Sequence, residues 1–188
     1  MLASLFLAPA LAAEAPSSFK DQVTEVSGRI ELGFKLCAKH ILRDGILSVA
    51  HKDQLAKLGV QMVETVPQDV RDNSAPLFPD NPLFAKIGTG GSTVFIVTAL
   101  DSTACRVVVS DTQAALNARI DFVDRLRATS SWIYDTRRSG TANGYMKDEL
   151  VIKSGHMITI VNGPQMMRDE GRGIQVFVTV GLIPKTTP

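Results

Sequence analysis

The chain has 188 residues, a length that suits one compact domain rather than two. Its 45% hydrophobic and 21% charged content is globular and excludes wholesale disorder. Twenty basic residues against 19 acidic ones leave a formal charge of +1, so composition makes no electrostatic case for a nucleic-acid binder or a polybasic membrane ligand.

Met1 to Ala12 reads MLASLFLAPALA, a short apolar run without a charged side chain that ends in small residues. Ala10-Leu11-Ala12 has the A-x-A form of a cleavage site, and Glu14, Pro16 and two serines follow it. About a dozen residues is too short to cross a bilayer core of ~30 Å. Pro9, in the middle of the run, counts against a buried first helix. The expectation is a signal peptide over residues 1–12 and a single domain over 13–188, periplasmic or secreted. No later stretch reaches ~18 uninterrupted apolar residues, so no transmembrane segment is expected in the mature chain. The two cysteines, Cys37 and Cys105, have no metal-ligand spacing, and an even count in an exported chain most simply makes one disulfide.

Phe19, Val23, Val26, Ile30, Phe34, Cys37 and Ile41 recur at helical spacing, with Ser17 or Ser18 as cap and Asp21 in the first turn. The spacing predicts a helix that carries Cys37 on its buried stripe and stops at Gly45. Asp21/Arg29 and Glu31/Lys35 fall on its polar side. Gly28 and Gly33 each weaken such a helix by up to ~1 kcal/mol and are read as points of close packing. A shorter helix, Lys52 to Leu58, ends at Gly59. Prolines 67, 76, 79 and 82 predict a loop with neither helix nor central strand from Pro67 to Pro82. Leu77 and Phe78, its large apolar residues, either tuck that loop down or meet a partner.

From Leu83 the pattern changes to strands. Thr93 to Ala99 and Arg106 to Val109 form a hairpin signature around Leu100-Asp101-Ser102-Thr103. Ser110 or Asp111 is the expected cap of a second helix with Leu116, Ile120, Val123 and Leu126 inward and Asp121/Arg125 paired outside. Trp132 to Tyr134, a polar tip from Arg137 to Gly144, and strands near Tyr145 to Lys153 and Met157 to Val161 follow. Ile174 to Leu182 alternates with period two, the clearest strand signal in the chain. Helix followed by strands occurs twice, over roughly 17–110 and 111–184, without internal sequence similarity. The predicted fold is α+β: an antiparallel sheet with two principal helices packed on one face.

His40, His51 and His156 are far apart, and no H-E-x-x-H, G-x-S-x-G or G-x-x-x-x-G-K-[ST] occurs. Gly88-Thr89-Gly90-Gly91-Ser92 precedes a strand rather than a helix, so it reads as a turn and not a phosphate cradle. His156, Met157, Met166 and Met167 are soft donors of the kind that bind copper. Met157, however, alternates within a β-run, and adjacent methionines on a polar loop suit adaptable partner contact. No metal site and no cofactor are expected. Arg137-Arg138 reads as a solvated tip, neutralised by Asp148-Glu149.

The functional expectation is a non-enzymatic domain that binds an envelope protein or component through Leu77, Phe78, Met166 and Met167. One alternative is an enzyme whose site is assembled from His156, Asp135 and Arg137. The other is a carrier of a small apolar ligand or copper between sheet and helices. With Leu36-Cys37 in the first helix and Cys105-Arg106-Val107 opening a strand, the chain resembles small uncharacterised exported proteins of Gram-negative bacteria with one cysteine pair. That resemblance implies a compartment and carries no chemistry.

Overall fold

The computed structural model of the protein describes residues 18–88, 93–166 and 171–183. The expected signal peptide over 1–12, most of the glycine turn and Met167 lie outside the described residues.

The first helix, α1, spans Phe19–Lys39. Ser18 and Asp21 form a reciprocal capping box that satisfies two backbone N–H groups at its start. A π-helical turn over His40–Asp44 follows, and Gly45 ends it with φ 55, where a Cβ would be strained. The remaining elements are α2 (Lys52–Lys57), β1 (Val60–Val63), α3 (Gln68–Ser74), β2 (Leu83–Ile87), β3 (Val94–Thr98), β4 (Ala104–Ser110), α4 (Ala115–Ala128), β5 (Trp132–Tyr134), β6 (Gly140–Ala142), β7 (Tyr145–Ile152), β8 (Met157–Pro164) and β9 (Ile174–Leu182).

The strands form one antiparallel sheet in the order β1-β2-β3-β4-β9-β8-β7-β5, with β6 paired to β7. The two helix-then-strand stretches thus become two meanders, joined where β4 pairs with β9. Side chains alternate between faces, so Cys105, Val107 and Val109 point to one face with their partners Val180, Val178 and Val176. This inner face packs against α1 and α4 and holds the main core. The α+β class with helices on an antiparallel sheet is the one the periodicities predict.

The outer face is treated differently in the two halves. Over β2–β4, Phe84, Phe95, Val97 and Val108 form a second buried cluster, roofed by Val70 of α3 and by Phe78. The segment from Pro67 to Pro82 is therefore not structureless. Pro67 stands at the N-cap of α3, where its missing N–H costs nothing because the first N–H groups of a helix lack intrahelical acceptors. Phe78 is 2% exposed and holds the segment down, so it is not available to a partner.

Three further expectations change. In α4 the buried stripe is Ala115, Ala118, Arg119, Phe122 and Leu126, with Val123, whereas Ile120 is 46% exposed and Leu116 only half buried. Its N-cap is Ala114; Ser110 closes β4, and Asp111 instead exchanges two hydrogen bonds with Gly173. Of the helix glycines, Gly33 is a close contact, since a Cβ there would meet Val107 Cγ2 at 2.9 Å, but Gly28 faces open space. On the polar side of α1, Arg29 pairs with Glu25 and Lys35 with Glu31.

Cys37 on α1 and Cys105 on β4 are bonded, with Cα atoms 5.3 Å apart and both side chains fully buried. The bridge spans a sequence separation of 68, and in the chain-entropy account such a loop restrains the unfolded chain by about 4 kcal/mol. Intact mass of the purified chain is expected two hydrogens below the reduced value, and replacing both cysteines with Ser should lower urea-measured stability by about 2–4 kcal/mol. Two alkylatable thiols without reductant would refute this.

Candidate functional site

Directly opposed residues on neighbouring strands share a face, so the register lays out the outer surface row by row. One row is Ile133, Val151, Ile158 and Gly181. The next is Glu149, Ile160, Thr179 and Arg106. The third is Lys147, Asn162, Phe177 and Val108. Beyond β4 no described helix roofs these rows, and Ile133 is 52% exposed, with Val151, Ile158 and Ile160 partly exposed and belonging to neither buried cluster.

The polar groups of this face are held by specific contacts. The Asp135 carboxylate accepts from the backbone N–H groups of Arg137 and Arg138 at 2.9 and 3.2 Å, which turns the chain out of β5. Glu149, with its side chain 4% exposed, accepts from Arg138 Nη1 and Lys147 Nζ, both at 3.2 Å. Arg106 donates from Nε to Thr179 Oγ1 at 3.1 Å and from Nη1 to the Asn73 carbonyl at 2.7 Å, and its guanidinium lies 4.8 Å from the Phe177 ring centroid. All three contacts are to neutral groups, and no carboxylate among the described residues pairs with it. Burial pushes its pKa below the usual arginine value.

On the inner face, Arg119 of α4 is buried and ion-paired to Asp148 of β7, whose other oxygen accepts from the Tyr134 hydroxyl at 2.8 Å. Gly163 makes room for it: a Cβ there would come within 2.9 Å of Arg119 Cδ. Burial lowers the Arg119 pKa, and Asp148 and Tyr134 oppose that shift. The pair pins α4 to the strands that build the open face. Sequence periodicity missed it, although Ala115, Ala118, Phe122 and Leu126 place Arg119 within their stripe.

Two of the cavities among the described residues lie away from the open face. An open groove of about 880 Å³ runs beside the edge strand β1 and α2, where Lys52 and Arg71 balance Asp53 and Glu64. A smaller apolar cavity of about 210 Å³ lies between α1, α4 and β5, floored by Phe34, Phe122, Leu126 and Trp132 and rimmed by Glu31, Lys35 and Arg125. Phe34 makes edge-on contacts with Phe122 and Trp132, each at 5.6 Å between centroids. The hydrogen bond from Lys35 holds the Glu31 carboxyl below its ordinary range.

The residues singled out from sequence do not gather at one place. Leu77, 42% exposed, shares a shallow depression with Leu100 and Ser102 of the β3–β4 turn. Met166, 78% exposed, follows Gln165, whose N–H donates to the Gly144 carbonyl at the β6–β7 turn. Gly173, at the end of that loop, bonds to Asp111 just beyond the opposite end of β4 from the Leu77 depression, about 20 Å away at ~3.3 Å per residue. Among the described residues Leu77 and Met166 therefore do not share one surface.

His156 sits on the β7–β8 turn, away from Asp135 and Arg137, so these three form no catalytic cluster. Met157 is buried in the inner core, while His156 and Met166 flank opposite ends of β8, so the described copper donors His156, Met157 and Met166 do not converge. Among the described residues no group of three or more His, Cys, Asp or Glu is placed to hold a metal ion, and no helix is long and apolar enough to cross a membrane. No family model, curated protein or solved structure matches the chain.

Arg119→Met should cost about 3–5 kcal/mol in urea unfolding, because it leaves Asp148 buried without its counter-charge. The double variant Arg119→Met/Asp148→Leu should recover most of that loss. Equal destabilisation by the single and double variants would show that the pair is not the source.

Proposed function

We propose that the chain is an exported, non-enzymatic binding module that docks a protein partner on the open outer face of β9, β8, β7 and β5. One observation carries this reading: the outer face of β2–β4 is buried under α3 and Phe78, while its continuation through Ile160, Ile158, Val151 and Ile133 has no roof among the described residues. An apolar sheet face is stable when another element covers it, and uncovered apolar patches on folded proteins mark interaction sites. Export is supported by the apolar run with its A-x-A end and by the Cys37–Cys105 bridge, which persists in oxidising compartments. A periplasmic or secreted location fits both.

A photo-crosslinking residue placed at Ile158, in the cell envelope, should yield one discrete adduct, and the same adduct should form from Ile133. The control position is Ile120, exposed on α4. Adducts that are absent at Ile158 and Ile133, or identical at Ile120, would remove the outer face as the docking site.

The apolar cavity beside α1 supports a second reading, carriage of a small apolar ligand. Its ~210 Å³ lies below the range of ~300–1,000 Å³ usual for ligand pockets, so only a compact molecule fits. Trp132 is the chain's one tryptophan and floors this cavity. Toluene or indole seated there should shift its emission saturably, and no saturable change up to solubility would eliminate the carrier reading.

A further inference from the structure

We propose that the element docked on the outer face is an acidic amphipathic helix of the partner, with a carboxylate that pairs with Arg106; the inference rests on the docking reading above. Among the described residues helices supply most of the cover on this sheet, α1 and α4 on the inner face and α3, together with Phe78, on the outer. A helix is thus the element whose shape this sheet already accepts.

The sign of its charge follows from the groups that border the apolar rows. Arg106 stands on β4, at the line where the α3 roof ends, in the same cross-strand row as Thr179, Ile160 and Glu149. Thr179, the Asn73 carbonyl and Phe177 fix its guanidinium without neutralising it. At the far side Arg138 pairs with Glu149 and with Asp135, and Lys147 shares the Glu149 carboxylate. Arg106, Arg138 and Lys147 against Glu149 and Asp135 leave these groups with one uncompensated positive charge, that of Arg106. A half-buried guanidinium lacking a counter-charge gains most from an added carboxylate, which its planar fork can receive through two parallel hydrogen bonds.

Spacing sets what the helix must carry. Arg106 on β4 and Lys147 on β7 are three strand intervals apart, about 14 Å at ~4.8 Å each. A helix rising ~1.5 Å per residue and lying across the strands covers that distance in about nine residues. Acidic residues on one flank, two to three turns apart, would then meet the two ends, with the apolar stripe between them on Ile160 and Ile158.

Two synthetic helical peptides with one leucine stripe, flanked by Glu in one and Lys in the other, test this on the full oxidised chain by fluorescence anisotropy. The Glu peptide should bind at least about tenfold tighter than the Lys peptide and weaken steeply with salt. Arg106→Gln should lower its affinity about tenfold and flatten the salt dependence, while Arg106→Lys retains part of both. Ile158→Asp should abolish binding. Equal binding of the two peptides, or a Glu peptide insensitive to Arg106→Gln, would overturn the acidic assignment and leave the docking face standing. Failure of both peptides, or binding unaffected by Ile158→Asp, would overturn the docking face itself. If the wild-type chain sediments as a dimer that Ile158→Asp dissociates, the occupant is a second copy and the proposal is wrong. Circular dichroism melts within a few degrees of wild type establish that each variant is folded.

Discussion

The antiparallel pairing of β4 with β9 is the interaction on which the rest of the molecule depends. It joins two meanders that are separate in sequence, and its register puts Cys105, Val107 and Val109 on one face with Val180, Val178 and Val176. A slip of one residue would turn all six outward. With the register as it is, a valine-rich seam runs down the middle of the inner face. The helices α1 and α4 lie over that face side by side, linked by Phe34 on Phe122 and by Arg125 reaching Glu31 at 2.6 Å. The Cys37–Cys105 bridge ties α1 to the same seam.

The buried Arg119–Asp148 pair does for the second half what the disulfide does for the first. Each fixes a helix to a strand across the inner core. The chemistry differs in what it demands of its surroundings. A disulfide packs as an apolar group, whereas a buried ion pair also needs partners for its remaining polar atoms; here Asp148 accepts from the Tyr134 hydroxyl and Gly163 leaves room for the Arg119 side chain, while Arg119 Nε stays without a hydrogen-bond partner. Such a pair contributes little net stability but penalises every arrangement in which the two charges are separated, and so specifies where α4 sits.

Asymmetry between the halves is where function enters. Both halves repeat helix-then-meander, and in the first the Pro67–Pro82 segment folds back over the outer face. Its α3 and Phe78 bury β2–β4 from outside and stop at Arg106. The second half has the short Asp135 turn and the β6 hairpin at the corresponding place, and its outer face keeps Ile133, Val151, Ile158 and Ile160 toward solvent. The open face is thus a consequence of unequal loop lengths on equal meanders.

The periodicity of the chain by itself determined the class of fold, the span of α1, the β3–β4 hairpin and the strand over Ile174–Leu182, because a helix or strand with one buried face records that face in its spacing. Cysteine count, with the apolar run at residues 1–12 read as an export signal, pointed to the bridge. The sequence misread α4, since an arginine in an apolar stripe reads as exposed until a buried Asp148 is known to face it. It misread Pro67–Pro82, since prolines forbid a helix interior but not a helix start. Leu77, Phe78, Met166 and Met167 were chosen as large apolar residues in loops, yet whether such a side chain is free depends on what lies opposite, and Phe78 found a core. The open face was invisible for the same reason: Ile158 and Ile160 alternate like any buried strand residue, and only the tertiary structure decides that no described helix lies above them.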